Sequence, residues 1–245
     1  MTPTILVTGG GRRLGREIVR AAARAGFRPA VHYNTSAEDA EALAGSLGGV
    51  AVGADLSAEG AAPHLIAKAA EALGEPVTAL VNSASIFEHD TAQTMSEADL
   101  IRNFTINTVA PLMLCQAFAE QAPEGSAIVN ILDQKLFALN TDHFSYTVSK
   151  QALHGATLLL ARALAPKIRV AGVAPGYNLP SPGQDDATFQ RLAPTVNVLK
   201  RRLEPRDVAD TVIFALTNKS ITGQVILADN GEHLKPAARD VIFSD

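Results

Sequence analysis

The chain has 245 residues, 47% of them hydrophobic and 19% charged, with a formal net charge of −4. A mean hydropathy of +0.12 goes with ample core material and excludes a disordered or fibrous chain. The mild acidity leaves no basic footprint for nucleic acid, no apolar run reaches the ~18 residues a membrane span needs, and the one cysteine, Cys115, rules out an intramolecular disulfide. Met1-Thr-Pro-Thr leads straight into an apolar run without the charged and hydrophobic regions of a signal peptide, so a cytoplasmic location and a small-molecule substrate are expected.

Thr4–Thr8 is a short apolar run that meets glycines at once, followed by an Ala-rich helical stretch over Leu14–Ala25. The alternation then recurs. Strands are predicted at Pro29–Tyr33, Val50–Ala54, Thr78–Asn82, Ala127–Leu132, Ile168–Ala174 and Gln224–Ala228, and helices at 37–47, 58–73, 97–121, 145–165 and 205–218. Most of the strands are nearly continuous in Val, Ile, Leu and Ala, as in a parallel sheet buried on both faces. The order predicts an α/β fold: one doubly wound, Rossmann-type parallel sheet of about seven strands with helices on both faces, spanning residues 1–245 as one domain. A (β/α)₈ barrel is the competing architecture, and the seven-strand count speaks against it. Residues 177–198, with three prolines and no clear period, read as a long substrate loop over the sheet edge, and residues 235–245 as a peripheral tail.

Thr8-Gly9-Gly10-Gly11-Arg12-Arg13-Leu14-Gly15 lies between the first strand and the first helix. Glycines let the backbone approach a pyrophosphate whose charge the helix amino terminus stabilises; the alternative is a plain strand-to-helix turn. The second strand ends His32-Tyr33-Asn34-Thr35-Ser36, with no acid before Glu38. Hydroxyls and an amide there, with Arg12 or Arg13, suit a 2′-phosphate, so NADP(H) is favoured over NAD(H). Tyr146 and Lys150, four apart on a predicted helix, share one face. The ammonium is expected to lower the Tyr146 pKa toward working pH and make it a general acid.

Together these motifs resemble the short-chain dehydrogenase/reductase family over nearly the whole chain. Gly9, Arg13, Leu14 and Gly15 match its cofactor turn, with Arg13 in place of the middle glycine. Asp55-Leu56 falls where the family's Asp holds the adenine, and Asn82-Ser83-Ala84-Ser85 matches its Asn-Asn-Ala-Gly segment, with Ser83 replacing an Asn. Asn107 occupies the position of the family's structural and proton-relay Asn, Tyr146-Thr-Val-Ser-Lys150 is its Tyr-x-x-x-Lys pair, and Pro175-Gly176 follows the sixth strand. The resemblance implies that Lys150 also bonds the nicotinamide ribose and that the chain forms a homotetramer.

Asp133 departs from the pattern: the family usually carries a Ser thirteen residues before the Tyr. A hydroxyl can donate to a developing alkoxide, whereas an ionised Asp repels it. An Asp there suits a substrate with N–H donors or one that needs a proton passed to a ring nitrogen. Pteridine reductases carry this Asp, and Gly11–Gly15, the 32–36 segment and Phe87 (placed to stack on a pterin ring) resemble them too. The expected activity is therefore NADPH-dependent reduction of a pterin C=N bond, with Asp133, Tyr146, Lys150 and Asn107 in the chemistry and Phe87, Asp133, Tyr146 and Tyr177 at the substrate. Asp133 as a helix cap or ion-pair partner and Phe87 as core packing are the bland alternatives. At the level of the protein, the alternatives are a general carbonyl reductase and a non-catalytic NADP(H)-binding sensor. The six histidines fall in no ligand spacing, so no metal is expected.

Overall fold

A computed structural model describes residues 2–181 and 183–243. Its elements in order are β1 (Thr4–Val7), α1 (Arg13–Arg24), β2 (Arg28–Tyr33), α2 (Ala37–Ser46), β3 (Val50–Gly53), α3 (Ala61–Leu73) and β4 (Ala79–Asn82). There follow α4 (Glu97–Phe104), α5 (Ala110–Gln121), β5 (Ser126–Ile131), α6 (Phe144–Ala163), β6 (Ile168–Pro175), α7 (Asp186–Leu192), α8 (Pro205–Thr217) and β7 (Val225–Ala228). The strands form one all-parallel sheet in the order β3-β2-β1-β4-β5-β6-β7.

Both faces of this sheet are covered, which explains the uninterrupted apolar strands. Ile5, Val7, Val81 and Val129 pack on one side against α1 and α8 through Ile18, Val19, Val208 and Val212. Leu6, Leu80, Ile128 and Val170 face the other side, against Leu65, Leu114, Phe118 and Ala161 of α3, α5 and α6. The strand order reverses between β1 and β4, and the carboxyl ends of the strands flanking that switch point open a crevice where ligands bind in such sheets.

Four expectations need correction. The helix expected over 97–121 is interrupted by a π-helical turn at Thr105–Val109; Pro111 lacks the N–H that would close an ordinary helical bond onto Asn107. Helix α3 starts at Ala61, not 58, because Gly60 adopts a left-handed conformation, φ 74°, just ahead of it. The 177–198 loop contains the seven-residue α7, too short to show a period, whose cap Asp185 accepts from Thr188 N at 2.9 Å and whose Phe189 is buried. Pro182 of that loop lies outside the described residues.

The tail is not peripheral. Lys235, Arg239, Asp240 and Val241 border the main crevice. Arg239 Nε bonds both oxygens of the buried Asp142 (3.0 and 2.8 Å), Lys135 Nζ lies 3.3 Å from Asp240, and Phe243 packs on His89. Side-chain pairs across about a hundred residues hold this strap, so no local pattern announces it. Ser244 and Asp245, the end of the tail, lie outside the described residues.

Candidate active site

The crevice at the carboxyl ends of β1, β4, β5 and β6 is a cavity of about 940 Å³. Its β1 end is shaped by glycine. Gly9 has φ +63°, and a Cβ on Gly15 would stand 2.1 Å from Gly9 O, so the turn closes only because Gly15 has no side chain. Arg13, where the resembled family has its middle glycine, adopts φ 50°, a left-handed conformation that costs a non-glycine residue about 1–2 kcal/mol.

Helix α1 has no side-chain cap at Arg12 and no acid in its first turn. Its unpaired N–H groups and positive end therefore face the crevice, ready for an anion. The donor set fits the pyrophosphate of a dinucleotide. Arg12 pairs with Asp39, which Arg16 also holds at 3.0 Å, and Arg13 donates to Pro180 O at 2.7 Å.

The sequence reading missed the residue that locks this turn. Gly9 N donates to His32 Nδ1 at 3.0 Å, and His32 Nε2 lies 3.1 Å from Ala54 O. That pattern requires the neutral ring with its proton on Nε2, and burial lowers the His32 pKa accordingly. His32 thus ties β1's turn to β2 and β3. In sequence it is one polar residue in a strand, and nothing there distinguishes it.

The other dinucleotide candidates divide. Gly9, Arg12, Arg13, Leu14, Gly15, Asn34, Leu56, Ser83, Ala84, Pro175 and Gly176 border the crevice. Thr8 Oγ1 fixes two of them, accepting from Ser83 N at 2.9 Å and Ala84 N at 3.0 Å. Asn82 turns inward instead: buried, it donates to Asn130 Oδ1 at 2.8 Å and to Cys115 Sγ at 3.4 Å. It belongs to an internal polar chain that runs on from Asn130 to Thr157. Tyr33, Thr35, Ser36 and Asp55 also stand off the crevice wall. Asp55 spends its carboxylate on Ser57, accepting from its N at 2.9 Å and its Oγ at 2.7 Å, and Tyr33 packs on Gly53.

At the β5 end, Asp133, Tyr146 and Lys150 come together. Asp133 Oδ1 accepts from Lys135 N at 2.8 Å, capping the 3-10 turn Gln134–Leu136, while Oδ2 accepts from the Tyr146 hydroxyl at 2.7 Å. The cap and the active-site contact are both real, one on each oxygen. Lys150 donates to Ile131 O at 2.8 Å and lies 5.8 Å from the Tyr146 ring centre.

Electrostatics revise one expectation. The Tyr146 pKa is pushed up, not down, by burial and by the adjacent Asp133 carboxylate. Burial also raises Asp133, against the pull of the Tyr146 hydrogen bond, and lowers Lys150 to about 8. Desolvation in a closed site outweighs the distant ammonium.

Asn107 sits one step away from this group. Its Oδ1 accepts from Ser85 Oγ (2.9 Å) and Ile86 N (3.0 Å), and its Nδ2 donates to Ile86 O (3.2 Å) and Ser149 Oγ (3.1 Å). The π turn thereby fastens the β4 loop to α6. Phe87, on that loop, packs edge-on to Tyr146 with ring centres 4.7 Å apart, and His143 stacks on one of its faces at 3.8 Å. Tyr177 borders the crevice with its hydroxyl on Gln184. Among the described residues no group of three or more His, Cys, Asp or Glu could hold a metal, and no helix is long and apolar enough to cross a membrane.

A parallel sheet with a glycine-shaped anion turn, beside a buried Tyr–Lys pair at its carboxyl edge, defines a dinucleotide-dependent oxidoreductase. The chain belongs to the short-chain dehydrogenase/reductase family: residues 11–233 match the family model described as enoyl-(acyl carrier protein) reductase. It is 39% identical to a FolM alternative dihydrofolate reductase 1 from Brucella suis, whose crystal structure is in complex with NADP (TM-score 0.89, 95% of each chain). Pteridine reductase 1 of Leishmania tarentolae is 31% identical over 96% of this chain and 98% of its own. The human 3-oxoacyl-[acyl-carrier-protein] reductase is also 31% identical, over 96% and 99%.

Proposed function

We propose that the protein reduces a dihydropterin-type substrate (a dihydropteridine, dihydromonapterin or dihydrofolate) at a C=N bond, using NADP(H). The observation that carries this reading is the 2.7 Å hydrogen bond from the Tyr146 hydroxyl to Asp133 inside the crevice. A carboxyl at that place repels the oxyanion that a ketone develops, yet it serves a nitrogen that must gain a proton. The glycine turn, Arg12, Arg13 and Asn34 would hold the phosphates of the cofactor and Lys150 its ribose, and a nicotinamide bound there would supply the hydride.

The remaining work falls to side chains. Tyr146, kept a neutral phenol by its surroundings, gives its proton to the ring nitrogen. The tyrosinate left behind is tolerable because Lys150 below about pH 8 is a cation and because Asp133, a carboxylate in the resting hydrogen bond from Tyr146, has a raised pKa that lets it take up a proton from water and relay it. Phe87 offers a flat surface to the heterocycle. The chain acts as one domain, and as a cytoplasmic homotetramer.

A carbonyl reductase is the competing reading, favoured by the likeness to 3-oxoacyl reductases. One panel separates them. NADPH oxidation is followed spectrophotometrically with dihydropterins, dihydrofolate and simple ketones, with NADH in parallel. The proposal expects turnover with dihydropterins and NADPH; rapid turnover of ketones with none of dihydropterins overturns it.

A further inference from the structure

Asp133 is not the only carboxyl in the crevice. Glu232 begins the 3-10 turn Glu232–Leu234 that follows β7, and its side chain borders the same cavity. Its seat is built from three directions. Tyr177 N donates to Oε2 at 2.7 Å, and Gln134 Nε2 donates to Oε1 at 2.9 Å. Gly176 makes the room: a Cβ there would lie 2.6 Å from Glu232 Oε2. Gln134 is the neighbour of Asp133, so adjacent residues of one 3-10 turn position the two carboxyls.

This location is costly for a carboxylate that serves only as a loop pin. Burial pushes the Glu232 pKa up to about 8, and Asp133, Asp229 and Asp240 all raise it. Each oxygen accepts one protein hydrogen bond and retains capacity for another.

We infer that Glu232 is a specificity-determining residue that, together with Asp133, selects a flat heterocycle with several N–H groups along one edge, the amino-pyrimidinone class, over a ketone. This deepens the pterin reading and rests on it. A ketone brings only an acceptor to two carboxyls and leaves the second acceptor position of each oxygen unused, losing the contacts that would reward binding in a desolvated site. A reduced pterin brings ring N–H groups and an amino group to the same wall.

The test compares dihydropterin with its 2-oxo analogue, in which the amino group is replaced by oxygen. Glu232→Gln keeps the length and one acceptor oxygen. It is expected to raise KM for dihydropterin about tenfold or more, with a smaller effect on kcat, and to shrink the preference for the amino form. KM for NADPH should stay within about twofold, because the hydrogen bonds of the Glu232 carboxyl run to Tyr177 and Gln134 and not to the anion turn. Gln134→Leu should act in the same direction and be non-additive with Glu232→Gln, since both work through one carboxyl. Glu232→Asp, which restores a carboxylate, should recover part of the preference and keeps the test open if the Gln variant folds poorly. Equal losses of kcat on both analogues, or an unchanged KM, overturn the role of Glu232 while leaving the pterin reading intact. A native enzyme inert to every dihydropterin overturns both.

Discussion

Asp133, Tyr146 and Lys150 follow one another at intervals of thirteen and four residues in the chain and meet because β5 ends where α6 begins its face toward the crevice. Spacing put Tyr146 and Lys150 on one helix face, the surrounding motifs made the pair readable, and the resembled family's thirteen-residue offset singled out Asp133. The sign of the Tyr146 pKa shift was not readable: it depends on burial and on which atom Lys150 bonds, namely Ile131 O at 2.8 Å. His32 and Glu232 were equally hidden, since their partners, Gly9 N and Gln134 Nε2, lie 23 and 98 positions away. Two predictions belong here. Tyr146→Phe should lower turnover by roughly 10²–10⁴-fold with NADPH binding retained, as measured by cofactor fluorescence titration. Lys150, depressed from 10.5 to about 8, is a cation below that pH and neutral above it. Reductive kcat/KM should therefore fall as pH rises through about 8. Glu232 also titrates near 8, so the limb should persist in Glu232→Gln if Lys150 is its source, and a profile flat to pH 10 would contradict this assignment.

Among the elements, the anion turn was legible in sequence from its place between the first strand and the first helix, where a plain turn was the alternative. Its tightness was not: the 2.1 Å clash of a Cβ on Gly15 with Gly9 O appears only in three dimensions. Gly15→Ala should destabilise the protein by about 1–3 kcal/mol, an overpacking cost, and weaken NADPH binding; unchanged thermal melting and unchanged cofactor affinity would refute the close approach. The strap at 235–243 was misread because nothing local distinguishes it. Its anchor is Asp142, whose carboxyl Arg239 holds well below the usual carboxylate range. A depressed carboxyl contributes stability above its unfolded value of 3.8, and that contribution is lost as pH falls toward the folded value. Acid should therefore loosen the strap before the sheet. Arg239→Ala should loosen it at neutral pH, raising deuterium exchange across 235–243 and KM for the substrate several-fold.

For the whole molecule, the seven-strand parallel sheet was legible because continuous apolar strands separated by helices admit few other arrangements. Assembly is less so, but apolar side chains stay exposed along α4–α6, among them Ile101 at 59%, Leu158 at 44% and Leu159 at 71%. Such a surface suits subunit contact. Sedimentation should give about four times the 25.7 kDa chain mass, and Leu159→Glu should lower it. The reaction itself is the property on which these scales converge. The most direct measurement is the single-turnover rate of NADPH oxidation by a dihydropterin in the native enzyme and in Asp133→Asn, under saturating cofactor. Loss of the carboxyl that feeds Tyr146 should slow that step by roughly 10²-fold or more. An Asp133→Asn enzyme that transfers hydride to dihydropterin at the native rate would contradict the account.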